Sequence, residues 1–273
     1  MSAPRFDSPH RPDLRPGTTQ ALADSATPAQ LPDAQRRSIL GAACALLLGL
    51  AVLPGTPRAQ PPLAAKPMRI GVIGAGRLGG AVGSLWVKAG HEVRFSSRHP
   101  DQLKPLVDGL GGRASAGTVA EAIAFADVLL LAVPYRAVPD VGKEHAAALR
   151  NKIVLDATNA FRERDGAVGE EAIANGIGLT TAKYLPGARV VRAFNFTGAA
   201  EFSRDSNRPQ GRIAVPIAGD DRAALDIAAQ LVRDAGFEPV VVGGLATANR
   251  FAPGGPLFRQ MESAEELRKR LGQ

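Results

Sequence analysis

A doubly wound α/β fold with a mostly parallel sheet, followed by a small C-terminal α/β extension, is what this sequence predicts. Three observations predict it. From Met68 onward, short apolar runs alternate with segments of helical period. One run, Val128–Val133, is apolar throughout, as a strand covered on both faces requires. A glycine-rich turn, Gly74-Ala75-Gly76-Arg77-Leu78-Gly79, joins the first run to the first helical segment. Alternating strands and helices build βαβ units, and their crossovers leave the strands parallel.

The elements follow in order. Arg69–Ile73 reads as a strand, and Gly79–Ala89 as a helix with Ala81, Val82, Leu85 and Trp86 on one face. Glu92–Phe95 is a second strand, Thr118–Phe125 a short helix and Val128–Val133 the buried strand. Val138–Leu149 reads as a helix, then Lys152–Asp156 and Val190–Phe194 as strands. Arg212–Ala218 is a strand, and Asp221–Ala235 a helix that buries Ala224, Leu225, Ala228 and Leu231. Glu238–Val242 is the last strand and Ser263–Leu271 the last helix. No internal repeat occurs.

The composition bounds the function. Hydrophobic residues make up 45% of the 273 positions and charged residues 22%, which excludes a wholly disordered chain. The net charge of +7 is scattered without runs of like charge, so nucleic acid is not an expected partner. A single cysteine, Cys44, excludes a disulfide within the chain and a thiolate zinc site. No HExxH, GxSxG or EF-hand pattern occurs, and no metal site is expected.

Residues 1–67 read as a disordered leader, rich in Pro, Ala, Asp and Ser at its start. Within it, 36–59 has the form of a twin-arginine signal: Arg36-Arg37, then an apolar run from Ile39 to Leu53. That run is shorter than the roughly 20 residues a spanning helix needs. Export to the periplasm follows, with no stable membrane insertion after cleavage. The alternatives are a mis-called start upstream of a cytoplasmic protein and an uncleaved anchor.

Five clusters carry the chemistry. The glycine loop stands where a dinucleotide-binding turn stands, after a strand and opening a helix. Gly74 allows the tight turn, Gly76 lets backbone approach a pyrophosphate, and Gly79 lets the helix pack closely on the strand. The helix N-terminus offers N–H groups to phosphates. The alternative is a tight turn with no ligand. At the end of the second strand, where an NAD site carries an acid, this chain has Ser96-Ser97-Arg98. A forked guanidinium and two hydroxyls suit a 2′-phosphate, which favours NADP, and Arg77 could add charge. The alternative is a solvated polar loop.

Ala132-Val133-Pro134-Tyr135 ends the buried strand, at the sheet edge that meets the nicotinamide half of a cofactor; the alternative is a plain strand-ending proline. Thr158 and Asn159, in Asp156-Ala157-Thr158-Asn159, could bond nicotinamide or substrate, or else cap a turn. In Ala193-Phe194-Asn195-Phe196, the aromatics could flank a planar ring, though core packing is the commoner use. His91, His99 and His145 form no constellation.

Taken in order with Pro253-Gly254-Gly255-Pro256-Leu257, these segments resemble the NADP oxidoreductases of the coenzyme-F420-dependent type. The N-terminal part is also similar to pyrroline-5-carboxylate reductases. The resemblance covers Met68 to Gly272. It implies an NADP-binding Rossmann domain over 68–195 and a small substrate-side region over 196–273. It implies that Gly74, Ala75, Gly76, Arg77, Leu78, Gly79, Ser96, Ser97 and Arg98 bind NADP. It further implies that Val133, Pro134, Thr158, Asn159 and Asn195 line the nicotinamide cleft. Hydride then passes to a small-molecule acceptor, a flavin or a deazaflavin such as coenzyme F420, with no side chain acting as acid or base. An imine or hydroxyacid reductase and a non-catalytic NADP sensor stay open, and a homodimer is allowed.

Overall fold

In the computed structural model, which describes residues 66–273, the glycine turn joins β1 (Arg69–Ile73) to α1 (Arg77–Lys88). β2 (Glu92–Ser96) follows, then α2 (Lys104–Leu110), β3 (Ala114–Gly117), α3 (Val119–Phe125) and β4 (Val128–Leu131). After a 3₁₀ turn at Tyr135–Ala137 come α4 (Val138–Glu144), α5 (Ala146–Leu149), β5 (Ile153–Asp156), α6 (Arg162–Asn175), α7 (Ile177–Tyr184) and β6 (Arg189–Arg192). The remainder is α8 (Ala199–Asp205), β7 (Ala214–Gly219), α9 (Arg222–Asp234), β8 (Glu238–Gly243), a 3₁₀ segment Leu245–Phe251, and α10 (Ala264–Leu271). The leader expected over 1–67, with Arg36, Arg37 and Cys44, lies outside the described residues except for Lys66 and Pro67.

The strands form one sheet in the order β3-β2-β1-β4-β5-β6-β7-β8. All neighbours are parallel except β6 and β7. The first six follow the doubly wound dinucleotide-binding order, whose direction reverses between β1 and β4. The fold is therefore the Rossmann-type α/β class expected, and residues 196–273 extend it by adding β7 and β8 to the same sheet. The register aligns the strand ends into a row. Ile73 pairs with Ser96 and with Leu131, Leu131 with Asp156, and Asp156 with Arg192. That row is the carboxyl edge, where ligands bind in open α/β sheets.

Local sequence explains the helix starts. Thr118 and Glu121 form a reciprocal capping box before α3, and Ser263 and Glu266 do the same before α10. Asp221 caps α9, and its buried face is the predicted Ala224, Leu225, Ala228 and Leu231, with Val232 added. Trp86 joins α1 to the C-terminal part of the fold. Its ring meets Phe194 edge-on at 5.5 Å, and its indole N–H donates to the carbonyl of Leu231 at 2.8 Å.

Several expected boundaries move. β4 stops at Leu131, because the chain turns at Ala132 toward the 3₁₀ segment. The expected helix 138–149 is broken at His145, whose φ of −119° and ψ of 19° leave the helical region. β6 ends at Arg192 rather than Phe194, which adopts a positive φ of 60°. α2, β3, α6, α7 and α8 went unread. β3 is Ala-Ser-Ala-Gly, without β-branched residues, and α6 has a polar sequence kinked at Gly166 with φ 55°.

Candidate functional site

Two clefts of about 600 Å³ each open along the carboxyl edge. They meet at Ala132, Val133 and Pro134, which line both. The first takes in Gly74, Ala75 and Gly76 together with Ser96, Ser97 and Arg98. The second takes in Arg77, Leu78, Thr158 and Asn159. The glycine loop therefore runs past the junction, with its turn in one cleft and the start of α1 in the other.

Steric contacts assign each glycine a distinct role. Gly74 has φ +95°, and a Cβ there would stand 2.8 Å from the carbonyl oxygen of Ala132. A Cβ at Gly79 would strike the carbonyl oxygen of Gly74, so α1 packs on the turn only without one. At Gly76 a Cβ would meet no protein atom within 4 Å, so this backbone faces open space. No side chain caps α1, and its first turn holds no acid. Its free N–H groups and positive dipole end are left for an anion. The loop is tied to β2 by the Ala75 N–H, which donates to the carbonyl of Ser96 at 2.9 Å.

The Ser96-Ser97-Arg98 trio divides. Ser96 is fully buried and its hydroxyl donates to the carbonyl of Val72 at 2.7 Å, so it is not a phosphate ligand. Successive side chains at a strand end point to opposite sides, and that alternation turns Ser96 inward. Ser97 is half-buried, and its oxygen accepts from the His99 N–H at 3.1 Å, leaving its own proton to donate. Arg98 is exposed and makes no hydrogen bond or ion pair among the described residues. Arg77 lines the other cleft and so does not join Arg98. Across the first cleft, α4 and the turn before it bring Arg136, Asp140, Glu144 and His145, which the sequence reading left out of the site.

In the second cleft the expected polar contacts are largely turned inward. The Thr158 hydroxyl donates to Asp156 Oδ1 at 2.7 Å, and the Thr158 carbonyl accepts from Arg192 Nη2 at 2.7 Å. Asn159 Nδ2 donates to the Asn195 carbonyl at 2.7 Å, and Asn195 Nδ2 donates to Asn159 Oδ1 at 3.2 Å. Asn195 is fully buried and does not line the cleft; it braces Asn159 from below. Phe194 and Phe196 are also fully buried, packed edge-on against Phe202. They belong to the core. Tyr135, the one strand-end candidate for a proton donor, points away: it is buried with its hydroxyl 3.2 Å from Thr181 Oγ1. Burial drives its pKa well above the ordinary value.

The loop after β5 supplies what sequence reading missed. Phe161 lines the second cleft and is 38% exposed, with the Arg164 guanidinium over its ring at 4.8 Å. Arg164 donates to both oxygens of Asp165, from Nε at 3.0 and 3.1 Å and from Nη2 at 2.8 Å. The buried Asp165 carboxylate also accepts from the Phe161 N–H at 2.9 Å and the Arg136 N–H at 3.2 Å. Burial alone would raise its pKa, but these hydrogen bonds outweigh it and hold the group below its ordinary value. Asp165 thus clamps the turn after β4 to the loop after β5. The available signal was an aromatic and an arginine close behind the strand-end Asn159. Among the described residues, no group of three or more His, Cys, Asp or Glu is placed to hold a metal.

Residues 69–160 match the family described as NADP oxidoreductase, coenzyme F420-dependent. That span lies within the region, Met68 to Gly272, whose segments resemble the same NADP-dependent oxidoreductase family. The chain is 28% identical to Metalloreductase STEAP3 of Rattus norvegicus over 66% of its length and 35% of that protein. It spans about a third of the length of the curated relatives it matches. Among solved structures it is similar to the hypothetical protein SMa0349 from Sinorhizobium meliloti, at 29% identity and a TM-score of 0.61. That match covers 73% of this chain and 94% of the other. It shares its fold with a provisionally named F420-dependent NADP-reductase from Arthrobacter sp. FB24. There the identity is 22%, the TM-score 0.55, and the coverage 66% and 87%.

Proposed function

From a domain that matches the coenzyme-F420-dependent NADP oxidoreductases over residues 69–160, we propose that this chain is an NADPH-dependent reductase of a flavin-like or deazaflavin acceptor. The observation that carries the reading is the junction of the two clefts at Ala132–Pro134, beside a glycine loop whose Gly76 faces open space. One cleft has the groups a dinucleotide needs. Gly76 leaves room for a pyrophosphate, the uncapped start of α1 offers N–H groups, and Ser97 and Arg98 offer donors to a 2′-phosphate. When bound, NADPH supplies the hydride.

The chain's own residues do the rest. Val133 and Pro134 form the shared wall, and Asp165 holds the turn beyond them rigid through Arg136. Asn195 and Arg192 keep the loop at Thr158 and Asn159 in one conformation. Rigid positioning of two reactants is itself a large catalytic factor. Direct hydride exchange between planar rings needs no acid or base, and the burial of Tyr135 removes the nearest tyrosine from that role.

The test is stopped-flow oxidation of NADPH against a deazaflavin, flavin mononucleotide, imines and keto acids. Turnover with the deazaflavin or the flavin is expected. Turnover only with imines or keto acids would replace this reading with the imine or hydroxyacid reductase. Tight NADPH binding without turnover would make the chain a sensor.

A further inference from the structure

The second cleft offers a ligand an unusual mixture of groups. Its neutral hydrogen-bonding side chains are already committed, Thr158 to Asp156 and Asn159 to Asn195. Its carboxylate, Glu201, is paired with Arg259 at 3.6 Å. What remains open is Arg77, exposed at the start of α1, and, on the loop after β5, a flat aromatic ring at Phe161 with the guanidinium of Arg164 stacked on it, 40% of the Arg164 side chain being exposed. Of the two guanidiniums only that of Arg164 lies on an aromatic ring. The stack cannot swing freely, because Arg164 is held by Asp165 and by the carbonyl of Asn159. A rigid aromatic surface selects planar partners, and a rigid guanidinium selects anions.

We propose that Phe161 and Arg164 are the specificity-determining residues for the acceptor. Phe161 receives its planar ring system, and Arg164 receives a negative charge carried on the same molecule. This rests on the reductase reading and narrows it to anionic, planar heteroaromatic acceptors. It assigns to the loop after β5 a role separate from that of Gly74–Gly79 and Arg98 in holding NADP.

The experiment measures binding rather than turnover. The full chain, saturated with NADP⁺, is titrated into flavin mononucleotide or riboflavin at low salt, and quenching of flavin fluorescence gives each Kd. The two probes share a ring and differ by one phosphate. Flavin mononucleotide should bind on the order of tenfold more tightly, since a charge-assisted pair separates them. That preference should shrink at 0.5 M salt, where such a pair is screened. Phe161→Ala should weaken both probes by roughly tenfold, the scale of losing one stacked ring. Arg164→Met should equalise them. Because Arg164 also holds Asp165, Arg77→Met, at the other guanidinium of the cleft, is measured beside it and should keep the preference for flavin mononucleotide; a preference lost there would overturn the proposal. Equal affinities for the two probes, or a Phe161→Ala variant that binds as tightly as the parent, would overturn the proposal. Turnover of both flavins with equal affinity would overturn it while leaving the reductase reading intact. The expected binding preference without NADPH oxidation would support the platform and defeat the reductase.

Discussion

Arg192 Nη1 donates to Asp156 Oδ2 at 2.6 Å, and neither side chain is exposed to solvent. The pair joins the ends of β5 and β6 under the second cleft, and the same guanidinium holds the carbonyl of Thr158. Removing one partner strands a buried charge. Arg192→Met or Asp156→Leu alone should therefore cost about 3–5 kcal/mol. The double change Asp156→Leu with Arg192→Met should cost less than the sum of the two single changes, because no charge is left behind. Denaturant midpoints of the three variants check this; additive losses would mean that the pair is not coupled.

Arg98 and the two serines separate by role. Arg98→Ala should reduce the preference for NADPH over NADH by at least about tenfold, the scale of a charge-assisted hydrogen bond, and leave NADH affinity nearly unchanged. Ser97→Ala should produce a smaller loss of the same kind. Ser96→Ala should lower stability by about 1 kcal/mol and leave the preference alone, since its hydroxyl serves Val72. Calorimetric titration with both nucleotides distinguishes them, and an unaltered preference in Arg98→Ala would refute the assignment.

The glycines predict opposite phenotypes. Gly76→Val should fold as well as the parent and bind NADPH at least tenfold more weakly, because its side chain enters space that no protein atom fills. Gly79→Ala should instead lower the melting temperature, because its Cβ strikes the Gly74 carbonyl. A thermal melt and a binding titration on each variant provide the check. A Gly76→Val protein with parental affinity would show that the backbone there is not a phosphate cradle.

Asp165 should leave a signature at low pH. Its pKa is held below its ordinary value, so its contribution to stability is fully present above the unfolded value of about 3.9. That contribution is lost as the pH falls through the lower folded value. The stability difference between the parent and Asp165→Asn, read from urea midpoints, should be constant from pH 7 to about 5 and shrink below about pH 4. A difference that does not change with pH would assign the effect of the substitution to packing.

Export is the remaining expectation. Replacing Arg36 and Arg37 by lysine should leave a precursor in the cytoplasm, because a twin-arginine signal is read by its arginines. Fractionation with immunodetection reads the outcome, and a doubly substituted protein that still reaches the periplasm would exclude the route.

The sequence by itself determined seven of the eight strands, the glycine turn and the buried face of α9. These follow from local rules. Hydrophobic period identifies an element, and a glycine is demanded wherever φ is positive or two backbones meet. Gly74 and Gly79 could be read because the constraint on each lies within the turn and the strand it leaves.

Only the tertiary structure decided which polar side chains reach a ligand. Ser96 and Ser97 are adjacent in sequence and both border the cleft, yet the Ser96 hydroxyl is spent on β1 while that of Ser97 keeps its proton to donate, because the sheet register turns one of them inward. Thr158 and Asn195 looked like ligand contacts; instead the Thr158 hydroxyl bonds Asp156 two residues back, whose other oxygen is held by Arg192, and Asn195 bonds Asn159 and the carbonyl of Phe251. Those partners, Asp156 with Arg192 and Asn159 with Asn195, become neighbours only when β5 and β6 lie side by side. A buried polar group must find its hydrogen bonds wherever the fold brings them. For the same reason Phe161, Arg164 and Asp165 gained a role that local periodicity does not carry, since their clamp closes on Arg136 from another strand end.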